Sequence, residues 1–429
     1  MELTIPLSQD ETCSRTRRDI ENINCGTTRL PPNLPVELHK LIVDELEGEK
    51  KTLKQCALTC RVYRHLAQKL LFKSVMPRHR DPMWDYHDTH NVDIFLDILR
   101  ESPQIANYVH RLHLFSHPLG IGIQSDDSPS KFLSALTNVV DLVLGWKEMT
   151  CYFLKTPPAT QLAVMNKCQS ILSLTARFLS DMPLKLFDHL QRLETLTLEK
   201  VTFTDDPGMQ ILQNPPSQIK HMTLGAVMIE DVGTIFPFLV KQEIGMGKLE
   251  SLTIDLAQSL RMLSPPDIVA VKSFIRGSAK SLKVLRITAS WYVPAILGDD
   301  EPLFEVSEML LLEELSLSGV AYCDSWVSWG WMSRLLETIP VNRRFKRITL
   351  LPNLANNLDL VTEDEEDDDP EGFKYLEKVI VDKVLPHTES FSIDFRIWEM
   401  VDDETETSTE EEIQKSLPIL HALNLLHFL

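Results

Sequence analysis

The sequence predicts an α/β chain, with a short N-terminal helical module followed by a strand–helix solenoid built on one parallel sheet. Three observations predict it. Residues 30–75 carry apolar positions at helical spacing in three successive short segments. From residue 109 onward, a run of the form apolar-x-x-apolar-x-apolar returns about every 30 residues. Amphipathic segments such as VDIFLDIL, DVGTIFPFLVKQ and PPDIVAVKSFIRG lie between the runs. The alternating end of each run puts its apolar residues on one face of a strand. A unit of strand plus helix buries its core only against its neighbours, so several copies are needed.

Taken in order, residues 1–29 hold no apolar run of signal-peptide length and are expected to form a disordered tail. Leu34-Pro35 opens the first helix, since proline at a first helical position gives up no needed N–H. Leu38, Leu41, Ile42 and Leu46 then fall on one stripe. A second helix carries Leu53, Cys56, Ala57 and Cys60; a third carries Tyr63, Leu66, Ala67, Leu70 and Leu71, with Phe72 at its end. Three short helices over about 45 residues are near the limit of what folds alone, so a partner is expected. Residues 76–108 are expected to be a helical linker, and 109–429 the solenoid. Its strands are expected to end at Leu114, Leu144, Leu174, Leu198, Leu224, Ile254, Ile287, Leu317, Leu350 and Val381, with Leu420, Leu423 and Leu425 as a closing copy.

At 429 residues and 43% hydrophobic, the chain exceeds one average domain. Its seven cysteines are scattered and odd in number, which implies no disulfide framework; a cytoplasmic or nuclear location is expected, not secretion. Cys56 and Cys60 sit four apart with no second pair to complete a zinc site, so both are expected in a core. No stretch of eighteen apolar residues predicts a membrane span. The net charge is −19, and the runs 363–369 and 402–412 supply seven carboxylates each. Such runs are solvated loops, and they argue against nucleic acid as a partner. His87 and His90 straddle a helix entry, where neighbouring Asp and Thr cap backbone N–H groups. Gly245-x-Gly247-Lys248 lacks the spacing and the hydroxyl residue of a phosphate loop, so it is expected to turn a helix into the strand at Leu249. Trp326 and Trp329 can share a helix face and pack under the sheet. No nucleophile-elbow or paired-histidine zinc motif is present, and neither a catalytic function nor a cofactor is expected.

Residues 30–75 resemble an F-box. Leu34, Pro35, Glu37, Leu38, Ile42, Leu46, Leu53, Cys56, Leu58, Cys60 and Leu66 match its pattern in order, and Tyr63 stands where most members have Trp. The match covers about a tenth of the chain. The apolar runs resemble leucine-rich repeats of the longer, helix-containing kind, without the Asn or Cys that usually follows the strand. The pairing is similar to the large F-box family of mushroom-forming fungi. That resemblance implies a non-catalytic substrate-recognition adaptor of a Skp–cullin–F-box ubiquitin ligase. Leu34, Pro35, Leu38, Ile42, Leu46, Leu53 and Leu58 would dock on the Skp-family adaptor, and through it on cullin. The alternative is a leucine-rich interaction scaffold whose F-box is vestigial or ligase-independent.

In such a solenoid the residue between the last two apolar positions of each run faces the open side of the sheet. These residues are His113, Val143, Ser173, Thr197, Thr223, Thr253, Arg286, Ser316, Thr349, Ile380 and Asn424. Thr197, Thr223, Thr253, Arg286, Ser316 and Thr349 are the candidate contacts to a protein substrate. Threonine also suits a half-exposed strand position for its own sake. The flanking residues Arg111, Asp141, Glu199, His221, Asp255, Arg347 and Asp382 mix both signs, which fits a protein partner better than a polyanion.

Overall fold

The computed structural model describes residues 35–78, 90–114, 128–145, 150–204, 212–216, 218–225, 229–256, 265–290, 304–322, 328–340, 343–355, 370–397, 410–411 and 413–428. The expected tail 1–29, Leu34, Trp326 and the acidic residues 363–369 and 402–409 lie outside these. The chain divides into two compact units, Met1–Leu71 and Phe72–Leu429.

The first unit contains three helices: α1 (Val36–Asp44), α2 (Lys50–Thr59) and α3 (Arg61–Leu71). Pro35 precedes α1, and its carbonyl accepts the amide of Leu38 at 2.9 Å. Gly48 turns the chain from α1 into α2 with φ of 100°. The core is small. Val43, Leu53 and Ala67 are buried, with Leu46, Cys56, Ala57, Tyr63, Leu66, Leu70 and Leu71 packed around them. Of the apolar stripe, Leu38, Leu41 and Ile42 in α1 are exposed, Leu46 just beyond it packs against the core, and Val43 takes the inward place. Cys60, expected in the core, is an exposed joint between α2 and α3; its extended backbone there lifts its side chain out of both helices.

The second unit is built on a 13-stranded sheet in which every strand pair is parallel. Spatial order follows chain order from Ser74–Val75 through Arg111–Leu114, Asp141–Gly145, Ser173–Met182, Thr195–Phe203, His221–Gly225, Ser251–Asp255, Val284–Ser290, Glu314–Tyr322, Arg347–Ala355 and Phe391–Ile397 to Leu426–Phe428. The short strand Cys151–Tyr152 lies beside Leu179–Ser180. Leu112, Leu142, Leu174, Leu196, Met222, Leu252, Leu285, Leu315, Ile348 and Phe391 form one continuous row across the strands. A second row, two residues further on, runs from Leu114 through Leu144, Ala176, Leu198, Leu224, Ile254, Ile287, Leu317 and Leu350 to Ile393. Both rows are buried under helices that cover one face. Phenylalanines from those helices meet edge to face, as in Phe95–Phe132 and Phe236–Phe274. Each fully buried leucine contributes roughly 1.5–3 kcal/mol, so a Leu→Ala change in either row undermines two neighbouring units at once.

Several expected boundaries move. Ser74–Val75, expected as the module's end, is the first strand of the sheet. Within the expected helical linker 76–108, the helix Val92–Glu101 belongs to the second unit and buries Phe95 and Leu99 in the sheet's own core. The third copy is shifted by two residues, because Leu174 pairs with Leu142 and Ala176 with Leu144. The strand expected to end at Val381 is instead a helix, Pro370–Val379, continued by a wider turn over Ile380–Val384. Phe373, Leu376, Val379, Ile380 and Val384 are all buried, which is helical spacing that a three-point pattern cannot distinguish from a strand. The strand of that copy is Phe391–Ile397. In the last copy, Leu420 lies in the helix Pro418–Ala422 and the strand begins at Leu426. The steps also vary for a structural reason: between Ser173–Met182 and Thr195–Phe203 the helix is reduced to one tight turn, Leu184–His189.

Candidate functional site

On the first unit, Leu38, Leu41, Ile42 and Leu58 are 42%, 60%, 48% and 74% exposed, and Val36 and Val62 are exposed as well. Among the described residues of this unit, water thus meets six large apolar side chains while three hydrophobic residues are buried. Of the expected docking residues, Pro35, Leu38, Ile42 and Leu58 are exposed. Leu46 is half-buried against the core, and Leu53 is 2% exposed inside it, so its place is structural. Tyr63 does not leave a gap. Its ring packs edge-on against His39 at 5.2 Å, and its hydroxyl is 3.1 Å from His39 Nδ1, tying α3 to α1.

On the sheet, the six candidate substrate contacts form one unbroken line. Thr197 pairs with Thr223, Thr223 with Thr253, Thr253 with Arg286, Arg286 with Ser316, and Ser316 with Thr349. The threonines are half-exposed and Arg286 is exposed, on the face the helices leave uncovered. Thr175 and Ser392 extend this line at its two ends. Ser173, Ile380 and Asn424 are not in it. Ser173 lies one position upstream of buried Leu174, Ile380 is buried in the turn after the helix Pro370–Val379, and Asn424 sits in a turn with φ of 56°. Asp382 follows Ile380 off the sheet. The charged flanks neutralise one another locally: Arg111 bonds Asp141 at 2.8 Å, Arg177 bonds Glu199 at 2.9 Å, and Arg286 approaches Glu314 at 3.8 Å. Burial first, and then the Arg111 charge, hold the His113 imidazole below its ordinary pKa.

Two features of the sheet escape a reading of apolar spacing. The first is a charge ladder at the residue just before each strand. Glu194, Lys220, Glu250, Lys283, Glu313 and Lys346 follow one another, each amide bonded to the carbonyl of the residue before it in the series. Lys220–Glu194, Lys283–Glu250 and Lys346–Glu313 are ion pairs at 3.2, 2.8 and 2.6 Å. The hydrogen bond from Lys283, and then its charge, hold the Glu250 carboxyl below the usual range; Glu313 raises Lys346 in the same way.

The second feature is a strained corner. Phe178 and Lys200 have φ of 48° and 51°, and Gly145, on the rung shared with Arg177 and Glu199, has φ of 96°. A bulky side chain in the left-handed region costs about 1–3 kcal/mol and persists only where its surroundings hold it. Here Phe178 follows Arg177 and Lys200 follows Glu199 on paired strands, with Lys200 Nζ 4.8 Å from the Phe178 ring centre. On the adjoining short strand, exposed Tyr152 carries the Lys155 ammonium 3.6 Å from its ring centre. No sequence signal marks this corner beyond a glycine at the end of a strand.

The Gly245–Gly247 segment turns the chain toward the strand at Ser251, with φ of 75° and 76° at the two glycines and the Leu249 amide bonded to the Gly245 carbonyl. The helix Ser328–Glu337 holds Trp329 and Trp331. Among the described residues, no group of His, Cys, Asp and Glu is placed to hold a metal ion, and no helix is long and apolar enough to cross a membrane. No protein-family model and no curated protein matches the chain.

Proposed function

We propose that this chain is a substrate-recognition adaptor of a Skp–cullin–F-box ubiquitin ligase, with the helical unit docking on the Skp-family adaptor and the open sheet face holding a protein substrate. The observation that carries the reading is the exposure of Leu38, Leu41, Ile42 and Leu58 on a unit whose own core is too small to need them. Covering such a face stabilises both partners, since each buried apolar side chain contributes roughly 1.5–3 kcal/mol. Chemistry on this reading is proximity supplied in trans: the substrate is held beside a ubiquitin-charged conjugating enzyme, and no residue of this chain reacts.

Copurification of the full chain with a Skp-family adaptor and cullin tests it. Wild type should retain both, and Leu38→Asp with Ile42→Asp should lose both while melting at the wild-type temperature, because the two side chains face water in the free unit. Absence of the adaptor from the wild-type preparation contradicts the proposal. The second reading, a scaffold with a vestigial or ligase-independent F-box, rests on Tyr63, which stands where most members of the resembled family have Trp. Adaptor retained without cullin would support that reading instead.

A further inference from the structure

The strained corner of the sheet differs chemically from the threonine line beside it. It gathers Lys155, Arg177 and Lys200 with the rings of Tyr152 and Phe178, and two of those cations sit over rings. Arg177 already holds Glu199, so the two ammonium groups are the cations of the patch with no ion pair to that carboxylate. We infer that this patch anchors a protein segment bearing a carboxylate beside an aromatic or apolar side chain.

Four arguments carry it. Regular strands would need no left-handed residue here, so the conformations at Phe178 and Lys200 are maintained at a cost that packing alone does not explain, and such strain gathers at binding sites. Two residues rather than one separate buried Ala176 from Leu179 and buried Leu198 from Val201, so Arg177 with Phe178 and Glu199 with Lys200 fall outside the core at that point. Each ammonium is held over a ring, which fixes its position beside an aromatic face where a carboxylate and an apolar side chain can be met together. Finally, the chain's net charge of −19 and the carboxylates of Glu199 and Asp181 beside the patch disfavour a phosphate polymer, whereas one or two carboxylates on a peptide meet the cations singly. The inference deepens the proposed substrate-holding role of the sheet face and involves no Skp adaptor, so adaptor copurification and the measurement below fail independently.

The test is fluorescence anisotropy of the full chain against a labelled random copolymer of glutamate and tyrosine. Saturable binding is expected. Lys155→Glu with Lys200→Glu should weaken it at least about tenfold, whereas Lys283→Glu, the same reversal at a single ladder position, should leave it within about twofold. Tyr152→Ser, at an exposed position, should weaken it without lowering the melting temperature and covers the case in which the double variant unfolds. No saturable binding by wild type, or an equal loss with Lys283→Glu, overturns the inference. Tighter binding of polyglutamate or oligothymidylate than of the copolymer overturns it too, since either would mean a general polyanion surface.

Discussion

Gly145 is the position where one atom matters most. A Cβ there would stand 1.7 Å from the carbonyl oxygen of Arg177, and its φ of 96° is one that side chains avoid. Gly145→Ala is predicted to cost about 2–5 kcal/mol, combining strain with a backbone clash. Gly247→Ala meets open space at φ of 76° and should cost only about 1–2 kcal/mol. Denaturant melts of the two variants check the ranking; equal losses would mean that the strand pair Asp141–Gly145 and Ser173–Met182 is looser than described. Both glycines are visible in the sequence, but which one a neighbouring backbone pins is not, because the contact comes from a residue 32 positions away. Leu53 and Cys60 carry the same lesson. Helical spacing identified the segments, yet the side of each helix that faces inward depends on how three helices cross.

At the scale of elements, the strands of the buried rows from Arg111–Leu114 to Arg347–Ala355 were legible, the third read two residues early, because buried apolar residues recur with one spacing, and parallel register then aligned the six candidate contacts without further information. The tenth failed where Leu376, Val379 and Val381 satisfy a strand pattern inside a longer helical one, while Phe391, Ile393, Phe395 and Ile397 alternate and went unread. The charge ladder also rests on register, since Glu250 and Lys283 meet only when their strands are aligned. Lys283→Glu places a third carboxylate between Glu250 and Glu313 and is predicted to lower the melting temperature more than Lys283→Gln, with the gap closing at high salt. Since the folded Glu250 pKa is depressed, its contribution is present above the ordinary carboxylate range and is lost as pH falls through the depressed value. Thermal melts of both variants at neutral and acidic pH, at low and high salt, check this. A gap unchanged by salt would mean that packing, not charge, distinguishes the two.

At the scale of the whole molecule, the chain separates a small helical unit, poor in core and rich in exposed apolar surface, from a large sheet unit whose core is continuous. On the proposed function, the first takes a constant partner, and the second offers a hydroxyl line and a cationic aromatic corner to a variable one. The sequence made the two parts recognisable but placed their junction late, because Ser74–Val75 is too short a strand to show a pattern of its own. The proposed division of labour is tested most directly by amide hydrogen exchange of the full chain with and without a Skp-family adaptor. The account predicts added protection across 36–59, where Leu38, Ile42 and Leu58 lie, and unchanged exchange in the strands from Arg111 to Ala355. Protection confined to those strands, or none anywhere, would contradict it.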